Sequence, residues 1–371
     1  MPVSETAVAD RGGDARPAGR ASLETLQIGR ALAALAVVLF HTEVTLGHDK
    51  YLGRDLLPIF RSGDAGVDYF FVLSGFVMVT AHAADFGRAG VVLPFLWKRF
   101  RRLCPALWVV LAAQLVLVLV VPQQRIVVAD LPWILVNDLL VLPWGGPTLL
   151  AVEWTLRHEV LFYLAFALAL ALPERRFFVA GAALATIAAG LLVALPAPFD
   201  RLASAHNLLF GFGIVAAVVH RRGALPRPRL VLGCGLALFA GNWLGLAFDL
   251  WGKSIVTIWL YGLGAACAVA AAARLEVGSR FRSPAALRLL GDASYAVYLV
   301  HFPVVSAASK LVTRLDALQP LPGPVAFAAV ALPAVAAGVV FHLTIEKPLL
   351  ARLPTRLAAP PAGSSPSRRG A

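Results

Sequence analysis

The chain has 371 residues, of which 59% are hydrophobic and only 15% charged, with a mean hydropathy of +0.76. An ordinary soluble domain carries about a quarter charged residues, so that class is excluded. The net charge of +12 does not point to nucleic acid, because the basic residues fall in short clusters between apolar runs, as the positive-inside rule requires.

Residues 1–24 are polar, with Asp10, Arg11, Asp14, Arg16 and Arg20. They read as a disordered cytoplasmic tail rather than a cleaved signal, since the apolar run after them is long enough to span. The first span, 27–46, holds Arg30 and His41. Eleven residues make almost three helical turns, so the two share a face, ~16 Å apart along the axis. An ionisable group that deep in a membrane helix is a functional-site hypothesis by default. The second span, 66–83, carries Ser74-Gly75.

The run Lys98-Arg99-Phe100-Arg101-Arg102 is expected in a cytoplasmic loop before a third span at 104–121, with Pro105 in that helix's first turn. It fixes topology in any case. Arg99 and Arg102, three apart, also share a face able to clasp a phosphate. The segment 131–142 is apolar but short and contains Asn137 and Asp138. Counting it as a span would invert every later loop, so it reads as re-entrant or interfacial.

Further spans are expected at 150–172, 177–195, 204–220, 229–248, 255–273, 291–312 and 324–345, giving an all-α protein with ten transmembrane helices. Residues 25–350 then form one membrane domain. Residues 351–371, rich in Pro, Ser, Arg and Ala, read as a second disordered cytoplasmic tail. With Arg16 and Arg20 inside, every basic cluster falls on the cytoplasmic side. Cys104, Cys234 and Cys267 are far apart, show no metal or disulfide spacing, and read as small core residues.

Rise along the helices places His41, Ser74, Glu159 and His301 ~12–16 Å from one membrane surface or the other, near the midplane of a ~30 Å core. Each has a plainer role available. His301 suits a helix–helix hydrogen bond, and Ser74 beside Gly75 suits close packing. Glu159 is harder to dismiss, because a lone membrane carboxylate needs a partner or a proton.

Taken in order, several motifs resemble the acyltransferase-3 family of bacterial membrane acyltransferases. They are Arg30-(ten residues)-His41, Phe70-Phe71-Val72-Leu73-Ser74-Gly75-Phe76, Arg99-x-x-Arg102, Trp154-Thr155-Leu156-x-x-Glu159-x-x-Phe162-Tyr163, Ser294-Tyr295-x-x-Tyr298-Leu299-x-His301-x-Pro303 and Glu346-Lys347-Pro348. The likeness runs from about residue 25 to 350 and is nearest to exopolysaccharide acetyltransferases and related O-acyltransferases of sugars or macrolides. It implies ten spanning helices in the bacterial inner membrane. It also implies an acyl-CoA co-substrate, usually acetyl-CoA, arriving from the cytoplasm, a hydroxyl-bearing acceptor, and essential roles for Arg30 and His41. Arg99 and Arg102 would help hold the donor. No bound cofactor or metal is expected. The extra C-terminal esterase-like domain of some members is not expected either. Arg157 and His158 stand where many members carry small or uncharged residues.

On this reading His41 takes the acceptor's proton and Glu159 orients His41 or stabilises its imidazolium. Ser74, Tyr163, Tyr298 and His301 are candidate acceptor or oxyanion contacts, and a covalent acyl-His intermediate is the variant mechanism. A different class, a proton-coupled transporter of a glycan or metabolite, also suits midplane His and Glu residues.

Overall fold

The structure, a computed structural model, describes residues 23–88, 90–120, 130–314 and 321–354. Most of the two expected tails, 1–22 and 355–371, lies outside the described residues. The helices are α1 (Glu24–Gly47), α2 (Ala65–His82), α3 (Val92–Val120), α4 (Leu131–Leu139), α5 (Trp154–Ala171), α6 (Arg176–Leu192) and α7 (Phe199–Leu202). They continue as α8 (Asn207–Arg221), α9 (Pro228–Ala247), α10 (Ile255–Glu276), α11 (Ala285–Asp292), α12 (Ser294–Arg314), α13 (Gly323–Phe341) and α14 (Lys347–Arg352). Among the described residues ten helical stretches are long and apolar enough to cross a membrane. The protein is a polytopic all-α membrane protein.

The helix carrying Arg30 and His41 is central. α1 packs against α2, α10, α11, α12 and α13. On the face where α1 starts, the backbone N–H groups of Glu24 and Thr25 donate to Glu276 at 2.6 and 2.9 Å, tying that start to the end of α10. On the opposite face Arg61 pairs with Asp249 at 2.8 Å and Lys253 pairs with Asp64. Those aspartates hold the loop cations of one face in short-range pairs.

Without water to squeeze out between helices, close approach depends on small residues. α2 and α8 achieve it reciprocally: a Cβ on Gly75 would meet the Phe210 carbonyl, and one on Gly213 would meet the Val72 carbonyl. The neighbour Ser74 is therefore free of the packing role and points elsewhere. Gly213→Val should force the pair apart at a cost of about 1–3 kcal/mol, the usual range for overpacking. Thermal unfolding in detergent would read this as a lower midpoint.

Two segments depart from expectation. α3 begins at Val92, so the basic run lies inside a helix and not in a loop, and Pro105 sits well within α3. Lys and Arg are good helix formers, so charge alone gives no reason to stop. The run is also held from outside: Trp97 Nε1 donates to the Pro354 carbonyl at 3.0 Å and Arg101 Nη2 to the Leu350 carbonyl at 2.6 Å. At the other end of the chain α13 and α14 are joined through a π-helical turn, His342–Glu346. Pro348 just beyond has no N–H to continue the regular ladder.

The segment around Asn137 and Asp138 is a nine-residue helix, α4, about 14 Å long and too short to cross. Its polar residues are what hold it. Arg157 on α5 bonds Asp138 at 2.8 Å, Glu153 at 3.4 Å and the Trp144 carbonyl at 2.5 Å. Asp138 accepts from the Leu149 N–H at 2.7 Å. Burial pushes the Asp138 carboxyl above its ordinary range, against the pull of the Leu149 N–H, the Thr148 hydroxyl and Arg157. Arg157→Met would leave two carboxylates buried without their cation, a loss of about 3–5 kcal/mol. Expression and monodispersity after detergent extraction should fall sharply; an unchanged melting curve would contradict this account.

Candidate active site

A cavity of about 110 Å³ opens among α1, α2, α3, α5 and α12. Its wall carries three guanidinium groups, from Arg30, Arg99 and Arg102. Among the described residues that line it, Glu159 is the one carboxylate. A cavity lined this way favours an anion, since the half-buried Arg30 and Arg99 have given up part of their hydration.

Each arginine is placed by its helix. Arg30 on α1 donates through Nε and Nη2 to Ser294 Oγ at 3.2 and 3.1 Å, at the first residue of α12. Arg99 and Arg102 project from one face of α3, as their three-residue spacing dictates. Arg99 lies over the rings of Phe95 and Tyr163, 5.6 and 5.8 Å from their centroids, and its Nε is buried without a partner. Its Nη2 lies 3.3 Å from His82 Nε2, and His82 Nδ1 lies 2.7 Å from Asp85. Arginine only donates, so His82 accepts through Nε2 and donates from Nδ1 to Asp85. This buttress was not foreseen; its signal in the sequence is a His three residues before an Asp at a helix end. Tyr295 OH donates to the Leu103 carbonyl at 2.8 Å and joins α12 to α3 beside the cavity.

Glu159 is held by Ser74, whose Oγ donates at 3.3 Å, and by the Tyr163 hydroxyl. Ser74 and Glu159, expected at one depth, are in contact. The pairing differs from expectation. His41 does not bond Glu159: its Nδ1 lies 3.0 Å from the Val37 carbonyl and 3.2 Å from His301 Nε2. Equal depth does not fix the direction in which a side chain leaves its helix, and Glu159 stands on α5 while His301 stands on α12.

His41 does not itself line the cavity. A row of ring contacts links it to the wall. Tyr298 is in the cavity wall, its ring centroid is 5.7 Å from that of His301, and His301 is 4.9 Å from His41. Tyr298 OH donates to the Val152 carbonyl at 2.7 Å, with Thr155 Oγ1 also at 2.7 Å. The cation cluster and the imidazole pair are thus neighbouring parts of one interior.

Comparison with known proteins shows the family. The sequence model described as "Acyltransferase domain" matches residues 23–343. The chain belongs to the acyltransferase-3 family. It is a membrane acyltransferase. It is similar to the exopolysaccharide production protein ExoZ of Rhizobium meliloti (strain 1021), with 30% identity over 335 residues, covering 85% of this chain and 95% of that protein. It is also similar to the acyltransferase MdmB of Streptomyces mycarofaciens, with 30% identity over 364 residues, covering 88% of this chain and 91% of that one. No solved structure matches the acyltransferase significantly.

Proposed function

We propose that this acyltransferase moves an acyl group, acetyl by family expectation, from acyl-CoA to a hydroxyl of a sugar, an exopolysaccharide unit or a macrolide-type metabolite. The observation that carries this reading is the convergence of Arg30, Arg99 and Arg102 on one cavity. Acyl-CoA has anionic phosphates at one end and a thioester at the other. Guanidinium groups bind phosphate oxygens through paired, charge-assisted bonds. The name of ExoZ speaks of exopolysaccharide production, which favours a glycan acceptor.

In this reading both termini are cytoplasmic, the protein sits in the bacterial inner membrane, and the donor enters at the face bearing α3's basic run. The arm passes Tyr298 to bring the thioester to His41. His41 accepts the proton of the acceptor hydroxyl as its oxygen attacks the thioester carbonyl. Glu159, fixed by Ser74 and Tyr163, serves as counter-charge to the three arginines until the donor replaces it in that role. Ser74, Tyr163 and Tyr298 form the wall against which donor and acceptor are oriented.

The test is purified protein in detergent with labelled acetyl-CoA and soluble sugar or macrolide acceptors. Acyl transfer without any membrane gradient is the expected result. Substrate movement in proteoliposomes that depends on a proton gradient, with no acylated product, would favour a transporter instead.

A further inference from the structure

The contact between His41 and His301 determines where their protons sit. His301 is 0% exposed, and its Nδ1 lies 2.6 Å from the Tyr298 carbonyl and 3.2 Å from the Val297 carbonyl. A carbonyl oxygen only accepts, so this Nδ1 carries a proton, and Nε2 of the neutral ring is a bare lone pair. That lone pair lies 3.2 Å from His41 Nδ1, which is also 3.0 Å from the Val37 carbonyl. Facing two acceptors, His41 Nδ1 must hold a proton and donate. A neutral imidazole has only one N–H, so Nε2 of His41 is its free base nitrogen.

Resting on the reading of His41 as the base, we propose that His301 is a positioning residue for acyl transfer. It locks His41 in the Nδ1–H form, leaves Nε2 to the acceptor hydroxyl, and accepts a stronger, charge-assisted hydrogen bond from Nδ1–H once that nitrogen is protonated. In hydrolase triads a carboxylate does this work. A carboxylate in this place would add a charge to a region walled by Phe40, Phe302 and Tyr298, where an ion is costly. A neutral imidazole orients His41 equally and adds no charge at rest.

The proton balance closes around one nitrogen. The hydroxyl oxygen bonds to the thioester carbonyl carbon while its proton passes to His41 Nε2. The carbon–sulfur bond then breaks, and the leaving thiolate takes that proton back. Nδ1 keeps its proton throughout, so His301 never changes its protonation state.

The test compares His301→Leu and His301→Gln with wild type and His41→Ala, all full length in detergent, using acetyl-CoA. Gln places an amide oxygen near the position of Nε2 and can still accept from His41; Leu cannot. The Leu variant should lose kcat by about 10–100-fold, the usual effect of removing a residue that orients a functional histidine, with donor KM nearly unchanged. The Gln variant should regain much of that loss. Nitrogen-15 NMR of histidine-labelled wild type, with the His41 signal assigned by its loss in His41→Ala, should show protonated Nδ1 and bare Nε2. Wild-type kcat in His301→Leu, equal losses in Leu and Gln, or a His41 proton on Nε2 would each overturn the proposal. Full activity in His41→Ala would instead overturn the reading of His41 as base. The NMR result is independent of activity and holds even if the Leu variant does not fold.

Discussion

His41→Ala is expected to lower acyl transfer by about 10²–10⁴-fold, the range a positioned general base contributes, while the protein still inserts and stays monodisperse. The effect should fall on kcat, since the proposed seat for the donor's charged end is the arginine cluster, which the substitution does not touch. Removing the ring leaves His301 Nε2 without its donor in a fully buried position, a stability cost of about 1–3 kcal/mol. A melting curve must therefore accompany the kinetics. A variant with lowered stability but wild-type turnover would remove His41 from the chemistry. Unaltered donor binding with no turnover would place it there.

The second large effect concerns the donor. Arg99→Ala combined with Arg102→Ala should raise the KM for acetyl-CoA by about 10–100-fold with kcat changed little. Hydrogen bonds to charged groups contribute about 1.5–3 kcal/mol each when dry. Arg102 is exposed and Arg99 only partly buried, so the combined loss is discounted for solvent screening. Salt supplies an internal check. The wild-type KM should climb with ionic strength, and the double variant's should climb less, because it has two fewer cations to screen. Arg99→Lys should recover only part of the loss, as an ammonium cannot form the guanidinium's paired bonds. An unchanged KM in the double variant would mean the α3 cations serve topology alone.

How much of this was readable beforehand depends on which physical quantity sets each feature. Span number and the exclusion of 131–142 followed from apolar length and charge asymmetry, which the bilayer itself imposes. The start of α3 did not, because the charged run 98–102 looks like a loop when only hydropathy is followed, although Lys and Arg are good helix formers. Rise along the helices led to the expectation that His41, Ser74, Glu159 and His301 lie at one level, and the structure pairs them as His41–His301 and Ser74–Glu159. Rise per residue is a local property of a helix, whereas azimuth depends on how helices rotate against their neighbours, and one sequence does not state that. Arg157 is the instructive case. It stood out as a charged residue where many members carry small or uncharged ones, and its bonds go to Asp138, Glu153 and Trp144. Only the fold of the α4 segment reveals that use.

The hold that Trp97 and Arg101 keep on the Pro354 and Leu350 carbonyls has a practical side. The last described residues act as a strap across the very turns of α3 that carry Arg99 and Arg102. A fluorescent reporter spliced in at Leu350 would cut that strap and slacken those turns of α3, whereas one joined after Pro354 would leave it whole.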